Sequence, residues 1–188
     1  ETMLPKAYKE TFHKYVNNKS FPHLLFHGSA GIGKTTTAKI LIKKIGANCL
    51  EINASDERGI ETIREKIKFF AMLKSSNVLR VILLEEADGL TKDSMNSLKN
   101  IMEKYSNNVR FILTANTPQK IIEPIQSRCA SFEFIKIPEE VMKKRLEFIL
   151  FSEFYKLKFL ISKYNFILLV MCNNSVKQTF NQIYIPII

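Results

Sequence analysis

The segment Gly28-Ser29-Ala30-Gly31-Ile32-Gly33-Lys34-Thr35 restricts what this chain can fold into more than any other. It satisfies the spacing G-x-x-x-x-G-K-[ST] in full, and each position has a physical task. Glycines let backbone N–H groups turn inward around phosphate oxygens without interference from a Cβ. A helix that starts at this point aims its positive end at the same charge. Lys34 is expected to reach the β- and γ-phosphates, and the Thr35 hydroxyl to bind Mg²⁺. Thr36 extends the expected cradle by one residue, although Thr36 and Thr37 also fit ordinary helix-start positions. The implied ligands are ATP and magnesium.

The flanks carry the pattern that such a loop requires. His23-Leu24-Leu25-Phe26-His27 reads as a strand, and Lys34 to Ile45 as a helix with Ala38, Leu41, Ile42 and Ile45 on one face. Beyond it, short apolar runs alternate with amphipathic segments, the pattern of a parallel sheet covered by helices. Leu50 to Asn53 is expected as a strand, Gly59 to Leu73 as a helix bearing Ile60, Ile63, Ile67 and Phe70, and Val81 to Leu84 as a strand buried on both faces. A helix over Asp93 to Tyr105, a strand over Arg110 to Thr114 and a short strand over Ser131 to Phe134 follow. The expected class is therefore α/β, a five-stranded parallel sheet flanked by helices in a P-loop nucleotide-binding domain over residues 1–137. Pro138 marks a boundary, after which Glu139 to Phe154 reads as a helix opening a small helical lid over residues 138–188.

Strand ends matter for chemistry. In a doubly wound sheet, ligands sit outside the carboxyl ends of the strands. Glu85 and Glu86 follow the apolar run Val81-Ile82-Leu83-Leu84, so they are expected to face the phosphates. Glu85 is assigned to the metal and Glu86 to the attacking water as general base. The usual pattern begins with Asp, and the extra methylene of Glu85 displaces its carboxylate by about a bond length.

Charge and cysteine content narrow the partners. The chain carries 28 Lys and Arg against 18 Asp and Glu, a formal net charge of +10. That excess fits polyanionic partners as well as a solvated lysine-rich surface. Cys49, Cys129 and Cys172 are widely separated, without metal-ligand spacing, which fits a reducing compartment. Glu1 to Tyr15 is polar and charged, unlike a signal peptide. The most apolar stretch, Phe159 to Cys172, contains Lys163 and Asn165 and falls short of the about 20 apolar residues of a membrane span. No membrane association is expected, and the location is intracellular: cytoplasm, nucleoid or nucleus, depending on the host.

Three further segments bear a family resemblance. Asn53-Ala54-Ser55-Asp56-Glu57-Arg58-Gly59-Ile60, Glu85-Glu86-Ala87-Asp88 and Ile122-Glu123-Pro124-Ile125-Gln126-Ser127-Arg128-Cys129 resemble the replication factor C small subunit, an AAA+ clamp-loader ATPase. Leu4-Pro5, Lys9-Glu10-Thr11-Phe12 and Pro22-His23 are similar to clamp-loader ATPase subunits of large tailed phages. The likeness covers residues 1 to about 150. By position it implies that Asn116 senses the γ-phosphate and that Arg128 is an arginine finger acting in trans on a neighbouring subunit's ATP. It also implies DNA-backbone contacts at Arg58, with Arg64 and Lys68 on the same surface; a local ion pair of Arg58 with Asp56 or Glu61 is the alternative. Lys177 aligns with a lid residue where Arg is usual, and would supply charge without a bidentate fork. The family's C-terminal collar domain is not expected within residues 1–188.

The resemblance implies an ATPase subunit of a DNA replication clamp loader. Its partners would be the other subunits of a hetero- or homo-oligomeric ring, the sliding clamp and primer–template DNA. Two alternatives stay open: a hydrolysis-poor nucleotide-binding scaffold, and another AAA+ machine such as a helicase loader or branch-migration motor.

Overall fold

A computed structural model describes residues 4–55, 60–72, 78–136, 138–144 and 146–151. The chain divides into two compact units, Glu1–Ile137 and Pro138–Ile188. In the first unit, α1 (Lys6–Asn18) leads into β1 (His23–His27), α2 (Lys34–Ile45), β2 (Asn48–Asn53), α3 (Ile60–Met72) and β3 (Arg80–Glu85). The elements α4 (Lys92–Tyr105), β4 (Arg110–Ala115), α5 (Glu123–Gln126) and β5 (Cys129–Glu133) follow. In the second unit, residues 139–144 and 146–151 are helical. The assignments made to residues 152–188, Lys177 among them, lie outside the described residues.

All strand pairs are parallel, and the sheet order is β2-β3-β4-β1-β5. Side chains alternate between two cores. Leu25, Ile82, Leu84, Phe111 and Leu113 pack with Ile63 and Ile67 of α3, Met95, Leu98 and Met102 of α4, and Ile125 of α5. Leu24, Phe26, Val81, Leu83 and Ile112 face the other way, onto Phe12 of α1 and Ala38, Leu41, Ile42 and Ile45 of α2. Burial on both faces explains why the central strands read as continuous apolar runs rather than as alternating ones.

This packing creates the crevice. The helix after β1 crosses to one face, whereas those after β2, β3 and β4 lie on the other. Neighbouring strands whose connections diverge leave a gap at their carboxyl ends, where the sheet order reverses. β1, β4 and β3 are consecutive neighbours, so the loop after β1 opens beside the ends of β4 and β3.

Helix ends follow local chemistry. Gly33 caps the start of α2 at φ 92° and Gly46 its end at φ 74°, both in the left-handed region that glycine tolerates. Lys43 and Lys44 in its last turn complement the negative end of the dipole. At α4, Thr91 Oγ1 accepts from the Ser94 N–H at 3.2 Å, which satisfies one orphan donor.

Most elements fall within two residues of the sequence expectation, and α2 coincides with it. Two helices were not anticipated, α1 and the short α5. The polar opening hides Tyr8, Phe12, Tyr15 and Val16 at spacings of four, three and one, and α1 lays Tyr8 and Phe12 against Phe132, Phe12 also against Phe26, and Tyr15 against Phe21. The last strand, expected over Ser131 to Phe134, instead spans Cys129–Glu133 because its register is set by β1, with His23 opposite Cys129.

Candidate nucleotide site

The loop after β1 is held in a shape that only glycine permits at its first position. Gly28 has φ 136°, and a Cβ there would lie 2.2 Å from the Phe134 carbonyl oxygen. Its N–H donates to the Ala115 carbonyl at 3.3 Å, which ties the loop to the end of β4. Ser29, Ala30, Gly31 and Thr36 are exposed, whereas Ile32 packs on the α1–α2 core. The first turn of α2 adds N–H groups that have no intrahelical acceptor.

Lys34 is buried, yet among the described residues no acid lies within ion-pair distance of it. Its Nζ donates to the carbonyls of Gly28 at 2.7 Å and Ser29 at 2.6 Å, and to Asn116 Oδ1 at 2.9 Å. These neutral acceptors satisfy the ammonium protons without cancelling the charge. Burial holds its pKa below the usual lysine value, while the nearby charges of Asp88 and Glu86 work in the opposite direction. A cation in that situation has strong reason to exchange carbonyls for phosphate oxygens.

Asn116 is the first residue after β4, and Asp88 fixes it there. Asp88 Oδ1 accepts from the Asn116 N–H at 3.2 Å and Oδ2 from the Thr117 N–H at 3.0 Å. Sequence reading gave Asp88 no task, since its partners lie 28 and 29 residues away.

The two glutamates diverge. Glu85 ends β3 beside α2, where its Oε2 accepts from Thr35 Oγ1 at 3.5 Å. Glu86 adopts φ 54° and ψ 41°, the left-handed region, which costs a non-glycine residue about 1–2 kcal/mol. Its N–H donates to Thr114 Oγ1 at 3.2 Å, and its Oε2 accepts from Ser55 Oγ at 2.6 Å. Such strain persists only where the surroundings over-determine it. Ser55 is a further residue that sequence reading passed over; only the fold brings it to Glu86.

Thr35 and Glu85 offer hard oxygen donors to a single position. Among the described residues no cluster of three or more His, Cys, Asp or Glu side chains could hold a metal. That donor set suits magnesium, which keeps several waters and takes one or two protein oxygens together with substrate phosphates.

The other expected site residues lie elsewhere. Arg128 immediately precedes β5, at the amino edge of the sheet, whereas Gly28 follows the carboxyl end of the adjacent β1. A five-residue strand of about 16 Å separates the two edges, so Arg128 does not serve its own chain's loop. Its guanidinium pairs with Glu103 and donates to the Pro124 carbonyl at 2.5 Å. Arg64 and Lys68 are exposed on α3 and line a groove of about 440 Å³ with Glu61, Glu65 and, from α4, Lys104. Arg58 and Lys177 lie outside the described residues.

The sequence over residues 24–137 matches the model of the ATPase family associated with various cellular activities (AAA). The chain is similar to the replication factor C small subunit of Methanococcus vannielii, 51% identical over 140 residues, covering 71% of this chain and 44% of that one. The same-named protein of Methanosarcina barkeri is 47% identical over 148 residues, covering 74% and 44%. The chain thus spans less than half the length of these relatives. Among solved structures, a point mutant of Thermotoga maritima RuvB aligns with a TM-score of 0.60 at 16% identity, over 74% of this chain and 47% of that one, a likeness of fold.

Proposed function

The chain belongs to the AAA family of ATPases, and from that premise we propose that it binds and hydrolyses ATP as a subunit of a DNA replication clamp loader. The observation that carries this reading is the meeting of Lys34 with Asn116, and of Thr35 with Glu85, in one crevice. Identity of about half to replication factor C small subunits over some 140 residues supports the choice of machine.

In this reading Lys34 exchanges its carbonyl partners for the β- and γ-phosphates, and Asn116 moves with it as the group that senses the γ-phosphate. Residues Gly28 to Thr36 surround the phosphates through backbone N–H groups. Thr35 and Glu85 would hold magnesium, which when bound neutralises charge between the β- and γ-phosphates. Glu86, released from Ser55, orients the attacking water and accepts its proton. Arg128 reaches the ATP of an adjacent subunit, where its rigid guanidinium meets charge developing in transfer. Its place at the sheet's amino edge supports a role between subunits. Arg58, Arg64 and Lys68 contact the DNA backbone, and Lys177 contributes charge from the lid over residues 138–188. Ring subunits, a sliding clamp and primer–template DNA are the partners, in an intracellular setting. No described helix is long and apolar enough to cross a membrane.

The test is ATP turnover by the assembled complex with clamp and primed DNA. Arg128→Ala is expected to abolish most stimulated turnover while each subunit still binds ATP; undiminished turnover contradicts the role between subunits. A hydrolysis-poor scaffold is the second reading, favoured by Glu85 standing where Asp is usual. Binding without turnover, restored by Glu85→Asp, would select it.

A further inference from the structure

Lys39 lies one helical turn beyond Thr35, on the same side of α2. Its ammonium reaches Glu51 Oε2 at 2.7 Å and Glu85 Oε1 at 3.3 Å. Glu51 and Glu85 come from adjacent strands, with Glu51 opposite Leu83 and Asn53 opposite Glu85. Leu83 faces α2, so alternation turns Glu51 and Glu85 to the same helix. The two oxygens of Glu85 therefore have different neighbours: Oε1 meets Lys39, and Oε2 meets the Thr35 hydroxyl.

We propose that Lys39 is a positioning residue that draws the Glu85 carboxylate back from Thr35 and so fits a glutamate to a metal position normally served by the shorter aspartate. The proposal rests on the ATP–magnesium reading of the site. The extra methylene gives Glu85 a reach about one bond length greater. Unrestrained, that carboxylate would extend further into the space beside Thr35 that a bound ion and its waters would share. Lys39 takes up the surplus by anchoring one oxygen, and its charge would compete with a bound divalent cation for the same group. Glu51 moderates this competition, because it shares the ammonium and forms the shorter of the two contacts. The ammonium of Lys39 meets Glu51 and Glu85 rather than Thr35 or the phosphate loop, so its influence runs through Glu85.

The test titrates magnesium against binding of a fluorescent ATP analogue to the full chain, with turnover measured separately. Lys39→Met is expected to lower the magnesium concentration for half-maximal binding about two- to fivefold, the range of a half-exposed ion pair, while reducing turnover. Glu51→Gln is expected to shift the requirement in the opposite direction, because Lys39 then bears wholly on Glu85. Lys39→Arg keeps the cation and should stay near the parent. In a Glu85→Asp background, the Lys39→Met shift should vanish, since the shorter side chain no longer meets the ammonium. An unchanged or raised requirement in Lys39→Met overturns the proposal, as does a shift of equal size in the Glu85→Asp background. Failure of the parent chain to bind the analogue with magnesium overturns the ATP reading itself, and this proposal with it.

Discussion

The two edges of the central sheet are built from the same strands but treat polar groups in opposite ways. At the amino ends of β1 and β4, two polar side chains are absorbed into the backbone. His23 Nδ1 accepts from the Phe111 N–H at 3.1 Å, and Arg110 Nε donates to the Phe21 carbonyl at 3.0 Å. At the carboxyl edge, Lys34 is buried with only neutral acceptors among the described residues, and Thr35 and Glu85 meet at no closer than 3.5 Å. Glu86 is held in a strained backbone conformation. Around β1 and β4 the first edge is closed and serves stability, with Arg128 beside β5 the exception. At the second, charge is gathered and left available, which is how a site differs from a well-satisfied core.

The sharpest way to break this contrast lies at Glu86. Glu86→Gln should reduce turnover about 10²- to 10⁴-fold, the usual contribution of a general base, with ATP binding retained. Equal loss in binding and turnover would mean that Glu86 supports the loop rather than the water. Next comes Gly28→Ala, which forces a Cβ against the Phe134 carbonyl oxygen at a positive φ. Chemical denaturation should register a loss of about 2–4 kcal/mol, as for other strained backbone sites. A smaller loss would show that the loop can relax and is not held by its neighbours.

At the amino edge the expected effects are smaller and concern pH. Burial, aided by the charge of Arg110, holds the His23 pKa down at about 4. The unfolded chain titrates this histidine near 6.5 and so binds more protons than the folded chain between those values. Stability is therefore whole above pH 6.5, declines as pH falls toward 4 and levels off below. His23→Asn should flatten that part of the pH profile without touching ATP affinity. Smallest of all is thiol reactivity: burial raises Cys129 to about 12 and Cys49 to about 11, and both sit at the amino ends of their strands. Mass mapping should find alkylation of both slow at neutral pH, and rapid labelling of either would show that edge to be open.

Legibility in the sequence followed the same division. The loop from Gly28 to Thr35, the helix after it and the buried strands were readable because their information is local: a fixed spacing, a period, an apolar run. Contacts that tie the site together were not. Ser55 meets Glu86 across 31 residues and Lys39 meets Glu85 across 46, because β2, β3 and α2 converge only when the sheet order is known. The helix α1 escaped notice for a different reason. Its apolar stripe is three aromatic rings and Val16 set among lysines, a glutamate and asparagines, so average polarity masked the period. Arg128 was readable as a motif, but its position at the amino edge, which separates it from its own chain's loop, required the parallel pairing of β5 with β1.

The claim beneath all of this is that the carboxyl ends of β1, β3 and β4 form one receptor for a nucleotide triphosphate. Calorimetric titration of ATP with magnesium into the parent chain, Lys34→Ala and His23→Asn tests it most directly. Saturable binding is predicted for the parent and for His23→Asn, with affinity falling at least about a hundredfold in Lys34→Ala. Equal affinity in the parent and Lys34→Ala would contradict it.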